Sequence, residues 1–249
     1  MSVKVMMPSS DKKEIVDLCA QVRGLLQDFE HLGINEVFIQ DPPHDLPRCP
    51  IGARPSGDEK MACRPETLEE IAAELHNCQR CSLSKRRRNV VFGVGDPKAQ
   101  LVFVGEGPGR EEDEKGEPFV GEAGRLLDRI LFAMGLRRDQ VYICNVVKCR
   151  PPGNRDPLPE EIEHCEPYLR RQLAAINPRV IVALGRFAVQ TLLRDSAPIS
   201  RLRGHWREYE GIALMPTFHP AFLLRNPAMK REVWEDMKQV LHRLRELRG

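Results

Sequence analysis

Beyond residue 100 the chain alternates between two kinds of apolar pattern. Short unbroken runs rich in β-branched residues occupy Leu101–Gly105, Val141–Val147, Val180–Gly185 and Ile212–Thr217, as expected of strands buried on both faces. Between them apolar residues return at intervals of three and four. That spacing predicts helices at about Gly121–Met134, Pro159–Ile176 and Gly185–Leu193, and a final helix from about Pro227 to Arg248. Strands alternating with helices predict an α/β fold, a three-layer α/β/α arrangement with a central four-stranded parallel sheet. A further helix is expected from Thr67, where Thr67 and Glu70 have capping-box spacing, to Cys78.

Upstream the pattern changes. Ile15, Leu18, Cys19, Val22, Leu25, Leu26 and Phe29 predict one amphipathic helix over Asp11–His31, stopped at Gly33. Gln40–Pro65 holds six prolines and two glycines without a period, which reads as a linker. The expected organisation is therefore an N-terminal helical appendage and linker over 1–64 and one domain over 65–249. The appendage either packs back on the domain or serves a protein partner. Charge divides the same way: residues 1–60 carry 7 Lys/Arg against 10 Asp/Glu, and the other 189 carry 31 against 26. A basic body with an acidic arm points weakly to a polyanionic partner. Met1–Ser10 has no apolar stretch of the export type, and no run approaches a membrane span, so the expectation is a cytoplasmic chain without membrane attachment.

Eight cysteines in a reducing compartment direct attention to metal. Cys78 and Cys81 form a Cys-x2-Cys knuckle, and Cys149 and Cys165 follow as singles. Zinc and a four-thiolate iron-sulfur cluster both remain open on this spacing, which favours the cluster modestly. Cys144 falls within a buried strand, Cys19 on a helix, and Cys49 and Cys63 in the linker.

The polar residues gather at strand ends, where open α/β sheets bind ligands. The first strand leads into Gly105-Glu106-Gly107-Pro108-Gly109, then an acidic run and Pro118-Phe119-Val120-Gly121. Neither a Walker loop nor a dinucleotide fingerprint is present, and the acidic run disfavours phosphate, so these glycines suit a flat neutral ligand. Phe119 either stacks on that ligand or plugs the core. The second strand carries Asn145 near its end and leads through Lys148, Cys149, Arg150, Asn154 and Arg155; the fourth leads to His219-Pro220. His219 either serves catalysis or caps a turn, and convergence with the other two ends favours catalysis. Lys85–Arg88 is either a solvated face or, with Lys148, Arg150 and Arg155, a phosphate-binding surface.

Taken in this order, the Cys78/Cys81 knuckle, Gly105–Gly109, Pro118–Gly124, Asn145–Arg155, Cys165 and His219-Pro220 resemble the type 4 uracil-DNA glycosylases, the iron-sulfur branch of that superfamily. The resemblance spans about Leu75 to Leu241. It implies a 4Fe-4S cluster of structural role on Cys78, Cys81, Cys149 and Cys165. It also implies a uracil site in which Phe119 stacks on the base, Asn145 reads its polar edge and His219 bonds O2, with Gly105, Glu106 and Gly107 as walls and Glu112 nearby. Asn154 or Glu106 would help the attacking water, since Gly107 stands where some branches place an aspartate. Arg86, Arg87, Lys148, Arg150, Arg155 and Arg225 are expected on DNA phosphates, with Leu223 or Leu224 as wedge. The implied activity is hydrolysis of the N-glycosidic bond of flipped-out deoxyuridine in single- or double-stranded DNA by a monomer, leaving an abasic site for base excision repair. A covalently trapping sister branch carries an arginine-rich insertion that Val147–Pro159 lacks, which favours turnover. A non-catalytic DNA-binding module and a zinc-dependent nucleotide hydrolase are the competing classes.

Overall fold

The computed structural model describes residues 66–247 together with Arg23 and Gly24, which are helical and exposed within the expected Asp11–His31 helix; the rest of that helix and the linker lie outside the described residues. The first helix, α1 (Leu68–His76), starts on the anticipated capping box, with Glu70 N donating to Thr67 Oγ1 at 3.3 Å and Thr67 N to Glu70 Oε2 at 2.8 Å. It buries Leu68, Ile71 and Leu75. Next come β1 (Val94–Gly95), β2 (Leu101–Gly105), α2 (Arg110–Lys115), α3 (Glu122–Ala133), β3 (Tyr142–Asn145), α4 (Pro159–Ile176), β4 (Val180–Leu184) and α5 (Gly185–Leu193). The described part closes with α6 (Ile199–Leu202), β5 (Arg207–Tyr209), β6 (Ile212–Thr217), α7 (Pro220–Arg225) and α8 (Lys230–Glu246).

The four expected strands form the parallel centre, but the sheet is mixed and has six strands, in the order β1-β3-β2-β4-β6-β5. The short edge strands β1 and β5 pair antiparallel with β3 and β6. The second strand is shorter than expected because its neighbour β2 ends at Gly105, opposite Asn145; Val146 and Val147 leave the ladder, though their N–H groups still bond Gly105 and Glu106 carbonyls. Pro227–Met229 is a 3-10 turn ahead of α8, which starts at Lys230 and not at Pro227 as expected.

Side chains alternate along each strand and so feed two cores. Phe103, Ile143, Val182 and Met215 face a layer built with α3 and α8. Val102, Val104, Cys144, Ile181 and Leu214 face α1, α4 and α5. The three-layer arrangement therefore holds. Chain leaving β2 turns to the first layer through α3, whereas chain leaving β3 and β4 turns to the second through α4 and α5. Divergence of this kind opens a crevice at the carboxyl ends of the strands. No described helix is long and apolar enough to cross a membrane.

Candidate active site

A cavity of about 610 Å³ occupies that crevice. The segments after β2, β3, β4 and β6 all reach it, contributing Glu106, Asn145, Arg186 and His219 among others. Close approach is built in at its floor. A Cβ on Gly105 would lie 2.4 Å from Asn145 Oδ1 and 2.6 Å from Phe119 Cζ, so only glycine lets these two side chains meet over the strand end.

Asn145 is 2 % exposed, and its carboxamide has no hydrogen-bond partner among the described residues; it is presented to the cavity. Open to the cavity and unpaired within the protein, the amide offers an incoming ligand both a donor and an acceptor. Phe119 stands at positive φ, 54°, a rarely populated conformation for an aromatic residue. Arg138 fixes this turn by donating to the Pro118 and Phe119 carbonyls at 2.6 and 2.9 Å. The Phe119 ring stacks on His219, with centroids 5.4 Å apart and planes at 29°.

His219 Nδ1 accepts the Ala221 N–H at 3.1 Å at the start of α7. In the neutral ring the proton then belongs on Nε2, which is left as a donor. Burial, reinforced by the Arg225 charge and opposed by Glu112, pulls the imidazole pKa down to about 4, so the neutral donor is the form at neutral pH. His219 therefore caps a turn through Nδ1 and also lines the cavity. Glu106 behaves oppositely. Burial, with the Asp156 charge and against Arg186, pushes its carboxyl up to about 7.

Glu112 lines the cavity, as expected of a residue near the base pocket, and is also a staple. Its Oε1 accepts from Val120 N and Gly121 N, both at 2.9 Å, and Oε2 from Gly109 N at 3.1 Å, which binds the glycine loop to the Phe119 turn. Gly107 packs against Val147, where a Cβ would meet Cγ2 at 2.6 Å. Asn154 sits on the exposed rim at φ 55°, its Oδ1 accepting from Arg150 Nε at 2.7 Å.

The expected phosphate contacts need correction. Lys148 is fully buried, donating to Asn145 O at 2.7 Å and to Gln172 Oε1, and cannot reach DNA. Arg155 is committed to the buried Glu161 through two bonds, and Arg87 turns inward to Cys149 Sγ at 3.3 Å and His76 O at 3.4 Å. Arg86 and Arg225 remain exposed, and Arg150 is half-buried. Leu223 is 1 % exposed and belongs to the core, whereas Leu224 on the same short helix faces solvent. Sequence reasoning missed Asp156 and Arg186, a pair at 2.8 Å on the cavity wall. Gly185-Arg186 at the end of β4 carried the same strand-end signal as the other three segments.

Cys149 and Cys165 are buried and Cys78 and Cys81 half-buried. Burial raises the pKa of Cys81, Cys149 and Cys165, and each of these thiols also feels the charge of others in the set. Cys165 Sγ accepts from Lys148 N at 3.3 Å. Among the described residues no group of three or more His, Cys, Asp or Glu is arranged to hold a metal ion. The Lys148 N–H on Cys165 sulfur and the Arg87 guanidinium on Cys149 sulfur suit anionic thiolates of the kind that would hold a four-iron cluster.

Residues 92–238 match the Uracil DNA glycosylase superfamily. The type-4 uracil-DNA glycosylase of Archaeoglobus fulgidus is 50 % identical over 183 residues, covering 70 % of this chain and 92 % of that protein. The type-4 enzyme of Thermotoga maritima is 46 % identical, covering 72 % and 95 %. The type-5 uracil-DNA glycosylase of Pyrobaculum aerophilum is 32 % identical, covering 70 % and 91 %. On this similarity the chain belongs to the uracil-DNA glycosylase superfamily, with the type-4 proteins.

Proposed function

We propose that the protein is a monofunctional uracil-DNA glycosylase acting on a base swung out of the DNA stack. The observation that carries this reading is the pairing, in one cavity, of an unpartnered Asn145 carboxamide with a neutral His219 whose Nε2–H is free to donate. Uracil presents N3–H and O4 to the first and O2 to the second, and Phe119 supplies a face for the ring. Cytosine, with a donor amine at C4, mismatches the amide once O4 and N3–H are required together.

The reaction then follows from where charge develops. Water adds to C1′ as the C1′–N1 bond breaks, and the bonding pair goes to the uracil ring, spread over N1, O2 and O4. His219 donates to O2 and stabilises this anion in a site largely removed from water. Glu106, close to half ionised at neutral pH, accepts the proton that water loses, and Asn154 holds the rim nearby. Leu224 fills the gap left in the stack, and Arg86, Arg150 and Arg225 meet phosphates. Cys78, Cys81, Cys149 and Cys165 hold a 4Fe-4S cluster that crosslinks the knuckle, the loop after β3 and α4. Abasic-site formation of this kind is the first step of base excision repair.

The test is alkali cleavage of matched uracil- and thymine-containing oligonucleotides after incubation with the protein. Cleavage confined to the uracil strand is expected, and its absence overturns the reading.

A further inference from the structure

Glu161 is a fully buried carboxylate that no sequence motif singles out. It lies in the first turn of α4, one helical turn before Cys165. Its Oε1 accepts from Ser82 Oγ at 3.1 Å and Arg155 Nη2 at 2.6 Å, and its Oε2 from Arg155 Nη1 at 2.9 Å and Leu158 N at 2.8 Å. These donors come from three separate stretches: the turn directly after Cys81, the loop after β3, and the start of the helix that carries Cys165.

A carboxylate taken wholly out of water persists only with charge and hydrogen bonds to complete it. Arg155 supplies the charge and holds the Glu161 pKa below its ordinary value, so the group is ionised and the bonds are charge-assisted. Arg155 continues the chain of contacts outward. It follows Asn154 in sequence, its Nη1 also donates to Asp156 O at 2.8 Å, and Asp156 pairs with Arg186 on the cavity wall. Shifting the knuckle therefore pulls on one carboxylate oxygen while the cleft rim hangs on the same group.

We infer that Glu161 is a positioning residue that couples the cysteine site to the Asn154–Asp156 rim of the cleft. The inference rests on the proposed function for what each end does. It adds a side-chain route beside the backbone path from Cys149 to Asn145.

The experiment perturbs each end in the full-length protein and reads the other, because coupling between sites is reciprocal. Ser82→Ala removes one bond beside Cys81, and Ser82 does not line the cavity; kcat for uracil release falls about fivefold with KM within about twofold. Arg155→Met alters the rim and touches no cysteine once the guanidinium is gone from Glu161. Its absorbance near 400 nm decays about fivefold faster in an iron chelator, and Arg155→Lys, which keeps a cation, restores the decay to within about twofold of wild type. Arg155→Met leaves the buried Glu161 without its cation, so its decay is read at a temperature where circular dichroism matches wild type; Ser82→Ala keeps the ion pair and tests the coupling independently. Wild-type protein that lacks the chromophore or releases no uracil overturns the proposed function and the coupling with it. Wild-type protein that has both, with Ser82→Ala excising at the wild-type rate or Arg155→Met keeping the wild-type decay, overturns the coupling alone.

Discussion

A histidine whose Nδ1 already accepts a backbone proton has one way left to act, and that constraint sets the expectations for single residues. His219→Ala should lower kcat by roughly 100-fold or more, the scale of losing one donor to a developing anion, with melting temperature little changed. The pH dependence separates His219 from Glu106. His219 titrates near 4, below its ordinary 6.5, so the unfolded chain binds this proton more readily between those values and stability falls as pH drops through that window. Glu106 has the opposite sign: its folded value of about 7 lies above the ordinary 4.5, so its contribution is full below 4.5 and is lost as pH rises through 7. Since the ionised carboxylate is the proton acceptor, kcat/KM should rise with pH through an inflection near 7. Glu106→Gln should remove that inflection and lower the rate by roughly 100-fold, leaving a flat profile from about pH 5 to 8. An inflection that survives in Glu106→Gln assigns the base elsewhere.

Two short elements divide neighbouring residues of similar type into opposite roles. In α7, Leu223 points into the layer with α3 and α8, and Leu224 points to solvent. Leu223→Ala should cost about 2–5 kcal/mol of stability whatever the substrate. Leu224→Ala should leave stability unchanged and slow excision from duplex more than from single strands, because only the duplex leaves a stacked gap to fill. Equal losses on both substrates would deny Leu224 the wedge role. After β3, Lys148 lies beneath Asn145, and Arg150 lies further out on the same loop. Lys148→Met should therefore lower the melting temperature and weaken uracil discrimination, without altering the salt dependence of DNA binding. Arg86→Ala should do the reverse, reducing the magnitude of the log–log salt slope by about 1. Titrations of binding against salt, paired with thermal melts, distinguish a buried organiser from a phosphate contact.

Across the whole molecule, legibility follows the range of the interactions that decide each feature. The parallel core strands were legible because burial on both faces demands the unbroken apolar runs that the chain displays. The edge strands were not, since Arg207-Glu208-Tyr209 has no such run and Val94-Gly95 is too short to show one. Asn145, Phe119 and His219 were legible as polar or aromatic interruptions at strand ends converging on one crevice. Lys148 was misread as surface because its partner Gln172 waits on α4, which local pattern does not announce; Arg155 does lie at the surface, and what the sequence hid was its pairing with the buried Glu161. On the proposed function the cysteines are a further long-range feature, with Cys78 and Cys81 more than eighty residues of chain from Cys165. Stability carried by a bound cluster is folding free energy, because the unfolded chain has no preformed site for it. Iron removal under reducing conditions should therefore lower the melting temperature by about 10 °C or more, given roughly 2–4 °C per kcal/mol for a domain of this size. The loss should be local at first: hydrogen exchange should accelerate at Ser82–Arg88 and Cys149–Glu161 before it does in β2 or β4, whose bonds lie in the sheet interior. Uniform acceleration across the sheet would mean that the cysteine site supports the fold as a whole and not the loops that frame the cleft.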